Sequence, residues 1–227
     1  MNLLQIPMER LTKYPQYDAI VIGSGISGGW AAKELCERGL KTLLLERGRP
    51  ISHPTDYPTA MMDPWDFPSG LKPTAADRRA DPIQSTSYDA GNKHFYVSDK
   101  EHPYIQITPF HWIRGYQLGG KSLIWGRQCY RWSDLDFEAN LKEGVAIDWP
   151  IRYRDLAPWY DYVESFVGVS GRRDGLAQLP DGHYLPPFGL NCIEQHLAET
   201  FTTHYGSERL LTIARVANAT KPINKRG

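Results

Sequence analysis

The chain has 227 residues, enough for one large domain or one and a half ordinary ones. Hydrophobic residues make up 41% and charged residues 23%, a globular composition that can bury a core. Lys plus Arg and Asp plus Glu balance at 26 each, which removes the electrostatic ground for a nucleic acid or an anionic membrane as partner.

Residues 1–17 mix Pro7, Glu9, Arg10, Lys13 and Pro15 and lack an apolar signal core. No stretch of the chain reaches the ~18 consecutive apolar residues of a transmembrane helix. Residues 17–46 then form a tight strand–turn–helix–strand unit. Asp18-Ala19-Ile20-Val21-Ile22 is a short, branched apolar run of the kind found in a central parallel strand. Gly23-Ser24-Gly25-Ile26-Ser27-Gly28 follows directly. A GxGxxG alone is a weak signal, but between a strand and a helix it has a physical reading. Gly23 allows the sharp turn off the strand, Gly25 lets the backbone approach a pyrophosphate, and Gly28 lets the helix pack closely on the sheet. The helix, from Ile26 to about Arg38, points its free N–H groups and positive dipole end at the phosphates. Ala31, Ala32 and Leu35 should make a small-residue face against the sheet, and Gly39 should end the helix. The second strand is Lys41-Thr42-Leu43-Leu44-Leu45-Glu46. Glu46 lies 18 residues after Gly28, where a carboxylate accepts hydrogen bonds from ribose hydroxyls and repels a 2′-phosphate. These elements together read as a dinucleotide site; the fingerprint alone leaves FAD and NAD both open.

Residues 50–111 change character. Eight prolines from Pro54 to Pro109 interrupt any long helix, while Trp65, Phe67, Tyr88, Phe95, Tyr96 and Tyr104 make the zone too aromatic for a disordered linker. It reads as an ordered, loop-rich excursion with short strands at 94–97 and 104–108. Residues 112–132 hold a Gly-Gly loop. Ser133 is placed to cap a helix start, and a second helix runs from about Arg154 to Val167, stopped by Gly168. Leu156, Trp159, Tyr160, Val163 and Val167 fall at helical spacing, which predicts one buried face. A helix at about 192–203 and a strand at 210–217 follow, and the chain closes on Lys221-Pro222-Ile223-Asn224-Lys225-Arg226-Gly227. Cys36, Cys129 and Cys192 are far apart, odd in number and without metal-ligand spacing, so no metal and no disulfide framework is expected; reduced thiols point to a cytoplasmic setting.

Ile113-Arg114-Gly115-Tyr116-Gln117-Leu118-Gly119-Gly120-Lys121-Ser122-Leu123-Ile124-Trp125-Gly126-Arg127 resembles the flavin-contacting motif of the glucose–methanol–choline (GMC) oxidoreductases. Adjacent glycines let backbone lie close to a ring or phosphate, a Ser supplies a hydroxyl, and Trp125 can wall off one side of the ring. The same residues make a poor phosphate-loop lookalike, because the stretch after Gly120 is aromatic and not helical in pattern. Glu46-Arg47-Gly48 is similar to the close of the second strand in FAD-dependent oxidoreductases. Lys121 and Trp125 depart from the commonest spelling, toward the sugar-oxidising branch that includes pyranose oxidase and gluconate dehydrogenase flavoproteins. Residues 148–171 resemble that branch too.

The resemblance implies an α/β fold. Residues 1–135 would form a Rossmann-like FAD-binding domain with an insertion at about 50–111. Residues 136–227 would form a helical continuation and the start of an α+β substrate domain, incomplete here. It implies oxidation of a CH–OH group of a sugar or alcohol by hydride transfer to flavin N5, with an electron-acceptor partner. Pyranose oxidases bond a His covalently to the flavin where this chain has Ile124, so the FAD is expected to be non-covalent. The cofactor contacts implied are Gly23, Ser24, Gly25, Ile26, Ser27, Gly28, Glu46, Arg47, Arg114, Gly119, Gly120, Ser122, Trp125 and Gly126. Family members are more than twice this long and carry their catalytic His in the second half. None of His53, His94, His102, His111, His183, His196 and His204 lies in a matching segment. The chain is therefore expected to be an N-terminal fragment without a catalytic residue, inactive alone. Two other readings stay open: a two-domain FAD enzyme acting on amines or steroids, and a truncated, non-catalytic flavin-binding chain.

Overall fold

A computed structural model describes residues 15–223; most of the N-terminal segment read above for a signal core, and the closing Asn224-Lys225-Arg226-Gly227, lie outside the described residues. The chain divides into two compact units at Trp125/Gly126.

In the first unit, strand β1 (Ala19–Ile22), helix α1 (Ile26–Glu37) and strand β2 (Thr42–Leu45) form in the predicted order. β1 and β2 pair in parallel, Ala19 with Thr42 through Ile22 with Leu45, and the Gly23 N–H extends the ladder to the Leu45 carbonyl at 2.7 Å. Gly23 turns off the strand at φ +90° and Gly39 leaves the helix at φ +85°, backbone angles open to glycine. A Cβ on Gly28 would overlap the Gly23 carbonyl oxygen and touch Val21, so the helix meets the sheet through its first turn. The predicted small-residue face is less covered than expected. No residue of α1 is fully buried and Ala31 is exposed, because the helix sits on two strands and not on a wide sheet. Val21, on the helix side of β1, is 8% exposed, while Ile20 and Ile22, on the other side, are 62% and 84% exposed.

The excursion is ordered and aromatic, as its composition predicts. It holds the short strand β3 (Pro68–Leu71), helix α2 (Ala75–Ala80) and several 3-10 turns. The two strands expected at 94–97 and 104–108 do not form. Lys93–Phe95 is a 3-10 turn, and residues 104–108 have no ladder. There the Tyr104 hydroxyl donates to the Phe110 carbonyl at 2.6 Å and Phe110 N–H donates to Gln106 Oε1 at 2.9 Å, so side chains take the role of a partner strand.

The second unit opens from Gly126 and carries α3 (Asp134–Phe137), α4 (Ala139–Glu143), α5 (Tyr153–Val167) and α6 (Cys192–Tyr205). Ser133 caps α3, its Oγ accepting from Leu135 N–H at 3.2 Å, and Gly168 ends α5 at φ +77°. The predicted apolar face of α5 is covered only in part. Trp159 is 56% exposed, and the one fully buried residue of the helix is Glu164. The strand expected at 210–217 is reduced to Val216, which bridges Gln128 on one side and Ser170 on the other. Its backbone is held at those bridges, Val216 and Ser170 exchanging N–H bonds at 3.0 and 2.9 Å, and the Arg215 side chain adds further anchors. Arg215 is 1% exposed and donates to Asp181 at 2.6 Å and to the Pro180 carbonyl at 2.6 Å.

Candidate functional site

The turn after β1 is where the sequence places the phosphates. Gly25 is the N-cap of α1, and no side chain caps it. A Cβ built on Gly23 or on Gly25 would meet nothing within 4 Å. The backbone of Gly25, Ile26 and Ser27 thus opens onto free space at the positive end of a twelve-residue helix, an arrangement suited to an anion.

Glu46 stands just beyond β2, and its carboxylate is held by the same turn. Ser24 donates to Oε2 twice, from its backbone N–H at 2.8 Å and from its hydroxyl at 2.5 Å. Gly48 N–H donates to Oε1 at 2.7 Å. The Ser24 hydroxyl, then the backbone donors of Ser24 and Gly48, outweigh partial burial and hold the Glu46 carboxyl below its ordinary range. An ionised Glu46 with an acceptor position left on Oε1 is the group a ribose hydroxyl needs.

Residues 113–125 come to the same place from 95 positions further along the chain. Gly119 N–H donates to Ser24 Oγ at 2.9 Å. Gly119 (φ +88°) and Gly120 (φ +53°) make the turn, and a Cβ on Gly120 would stand 3.6 Å from the Gly25 Cα. The backbone beyond β2 seals the junction: Arg49 N–H donates to the Tyr116 carbonyl at 3.3 Å and Leu118 N–H to the Arg49 carbonyl at 2.9 Å. Gly48 is required there, since a Cβ would come within 2.5 Å of the Gln117 backbone nitrogen. Arg47 stacks on Tyr116, guanidinium carbon 3.8 Å from the ring centre.

Several residues expected at the cofactor also have partners within the protein. Arg114 is 5% exposed and lies inside the excursion, donating to Asp99 at 2.6 Å, to the His102 carbonyl at 2.7 Å and to the Tyr116 hydroxyl at 3.0 Å. Ser122 Oγ donates to the Gly119 carbonyl at 2.7 Å and closes the Gly-Gly turn. Gly120–Leu123 is a 3-10 turn and not the helix a phosphate loop requires. Trp125, 37% exposed, ends the first unit, and Gly126 begins the second. Tyr116, Gly48 and the Asp99–His102 backing of Arg114 were not among the cofactor contacts read from the sequence. The spelling Glu46-Arg47-Gly48, a small residue directly after the acid, held the only signal for one of them.

The site residues fit an FAD: open glycine backbone for the pyrophosphate and a fixed carboxylate for the ribose. Among the described residues no cluster of His, Cys, Asp and Glu could hold a metal, and no helix is long and apolar enough to cross a membrane. The three cysteines are free.

The family model described as FAD dependent oxidoreductase matches residues 18–143, more than half of the chain. The gluconate 2-dehydrogenase flavoprotein of Pantoea cypripedii is 30% identical over 166 residues, 68% of this chain and 25% of that protein. The 2-methyl-1,2-propanediol dehydrogenase of Mycolicibacterium austroafricanum is 26% identical over 162 residues, 70% of this chain and 26% of that protein. The oxygen-dependent choline dehydrogenase of Xanthomonas axonopodis pv. citri is 34% identical over 151 residues, 66% of this chain and 23% of that protein. These relatives accord with the GMC resemblance read from residues 113–127. The chain spans about a quarter of the length of the curated relatives it matches.

Proposed function

The chain belongs to the FAD dependent oxidoreductase family, and on that premise we propose that residues 17–125 bind FAD non-covalently in an enzyme that oxidises a CH–OH group of a sugar or alcohol. The observation that carries the binding site is the junction at Ser24, where the Gly23–Gly28 turn, Glu46 and the Gly119 turn meet through three hydrogen bonds. Backbone N–H groups of Gly25, Ile26 and Ser27 would hold the pyrophosphate, Glu46 would take a ribose hydroxyl, and the Gly119–Gly120 turn and Trp125 would line the path toward the ring. When bound, FAD supplies a hydride acceptor, flavin N5, for the carbon that bears the substrate hydroxyl. The hydroxyl proton then needs a general base, and no histidine of this chain is assigned that role. The substrate class rests on the relatives, whose names are those of enzymes acting on gluconate, a diol and choline. Ile124 in place of a flavin-bonded His supports the non-covalent reading. In this reading the second unit begins the substrate side, the electrons leave to an acceptor partner, and the setting is cytoplasmic.

The test exploits the free space beside Gly25. The Cβ of Gly25→Val meets nothing within 4 Å and Gly25 has φ −63°, so the chain should fold as the wild type does. The added side chain stands where the phosphates approach, and FAD affinity measured by flavin fluorescence should fall by more than about tenfold, on the order of 1.4 kcal/mol. Gly28→Val is the contrast, because its side chain collides with Gly23 and should unfold the unit. Equal affinity for FAD in wild type and Gly25→Val would remove the site from this turn. Anaerobic bleaching of the bound flavin by sugars and alcohols, and not by amines, in a longer form that carries the general base, checks the substrate class.

A further inference from the structure

Ser24 stands in the phosphate turn, and the sequence places it among the cofactor contacts. Its donors are already in use. A serine hydroxyl has one proton to donate, and Ser24 gives it to Glu46 Oε2 at 2.5 Å. Its backbone N–H goes to the same oxygen at 2.8 Å. One lone pair of Oγ accepts the Gly119 N–H at 2.9 Å. What Ser24 can still offer a ligand is an acceptor, and an acceptor facing a phosphate oxygen repels it.

We propose that Ser24 is a positioning residue, and that its hydroxyl fixes Glu46 for the ribose and pins the Gly119–Gly120 turn to the phosphate turn without touching the dinucleotide. The inference rests on the reading that this unit binds FAD. It divides the labour within the fingerprint. Phosphate binding falls to the N–H groups of Gly25, Ile26 and Ser27. Ribose binding falls to Glu46 through Oε1, which carries the Gly48 N–H at 2.7 Å and has acceptor capacity left, whereas Oε2 is occupied by both Ser24 donors. Charge-assisted hydrogen bonds of this length are the strong kind, so their loss should be measurable.

The test is a double-mutant cycle read by FAD titration of the full chain, with flavin fluorescence as the signal. Ser24→Ala should weaken binding about tenfold, the scale of one hydrogen bond to a charged group. Glu46→Ala should weaken it by more than about tenfold on the same scale. If Ser24 acts through Glu46, the double variant should bind within about threefold of Glu46→Ala, because residues in one network do not add. Ser24→Thr keeps the hydroxyl and should bind within about threefold of the wild type, a rescue that a mere packing role for Ser24 does not predict. Losses that multiply in the double variant, a Ser24→Ala that binds like the wild type, or a Ser24→Thr as weak as Ser24→Ala would each overturn the proposal. Absence of saturable FAD binding by the wild type would sink the binding reading itself, an outcome distinct from all three.

Discussion

Arg131 and Glu164 show how much of the second unit depends on charges removed from water. Their side chains are 2% and 6% exposed, and Arg131 Nε donates to Glu164 Oε1 at 2.9 Å with a second bond between Nη2 and Oε2. Asp161 at 2.5 Å and the Tyr153 hydroxyl at 3.0 Å complete the cage. Burial works against the charge on Arg131, but these partners outweigh it and hold the guanidinium pKa above its ordinary range. Gly182 has no room for a side chain beside the pair. Removing one member leaves a buried charge without its counterpart, a loss of about 3–5 kcal/mol in comparable cases. Glu164→Gln should therefore destabilise the second unit by about 3 kcal/mol, the low end because Asp161 still faces Arg131. Asp161 is 38% exposed and screened by water, so Asp161→Asn should cost less than about 1 kcal/mol. Urea denaturation of the two variants checks the contrast, and equal losses would mean that burial is not what sets the energy.

The elements divide into those written locally in the sequence and those that depend on distant partners. Helix α6 is of the first kind: Asn191 Oδ1 accepts from Ile193 N–H at 2.9 Å and Glu194 N–H at 3.0 Å, and Glu194 returns the bond to Asn191 N–H at 2.8 Å. With no residue of this helix buried, the cap carries an unusual share of its stability. Asn191→Ala should cost about 1 kcal/mol, visible as a loss of helical circular dichroism on heating. The β1–α1–β2 unit and the stop of α5 at Gly168 were legible for the same reason, since glycine at a positive φ or at a close approach leaves its mark in the sequence itself. The expected strands at 94–97, 104–108 and 210–217 failed because β-branched and aromatic residues report a half-buried surface and not a partner strand. Tyr104 satisfied its neighbourhood through a hydroxyl, and Val216 found single bridges in place of a ladder. The placement of Gly23, Gly25 and Gly28 between strand and helix, and of Glu46 after β2, was readable from spacing. Arg114 was read only as a cofactor contact, and its bond to Asp99, fifteen residues away, has no local pattern that shows it. The Ser24 to Gly119 bond spans 95 residues, and no local pattern encodes it.

At the scale of the molecule, the groups assigned to FAD up to Trp125 all belong to the first unit, while the Arg131 and Arg215 networks belong to the second. A ligand stabilises what it binds, by about 2.7 kcal/mol at a hundredfold excess over Kd. FAD should therefore slow amide exchange around residues 23–28, 46–48 and 117–120, and leave the backbone around Arg131, Glu164 and Gly182 unchanged. Hydrogen exchange followed by mass spectrometry measures this directly, and uniform protection of both units would argue against a site confined to the first. The open side of β1 has a consequence of another sort. Ile20, Ile22 and Leu45 are 62%, 84% and 46% exposed on a sheet of two parallel strands, a class of sheet that is ordinarily covered on both faces. The formal net charge at pH 7 is zero and the isoelectric point is about 7.1, so in neutral buffer no long-range repulsion keeps two such faces apart. Colloidal behaviour follows from that pairing of features: concentrated neutral solutions favour face-to-face self-association, and a buffer well away from the isoelectric point restores the repulsion that keeps the chain dispersed.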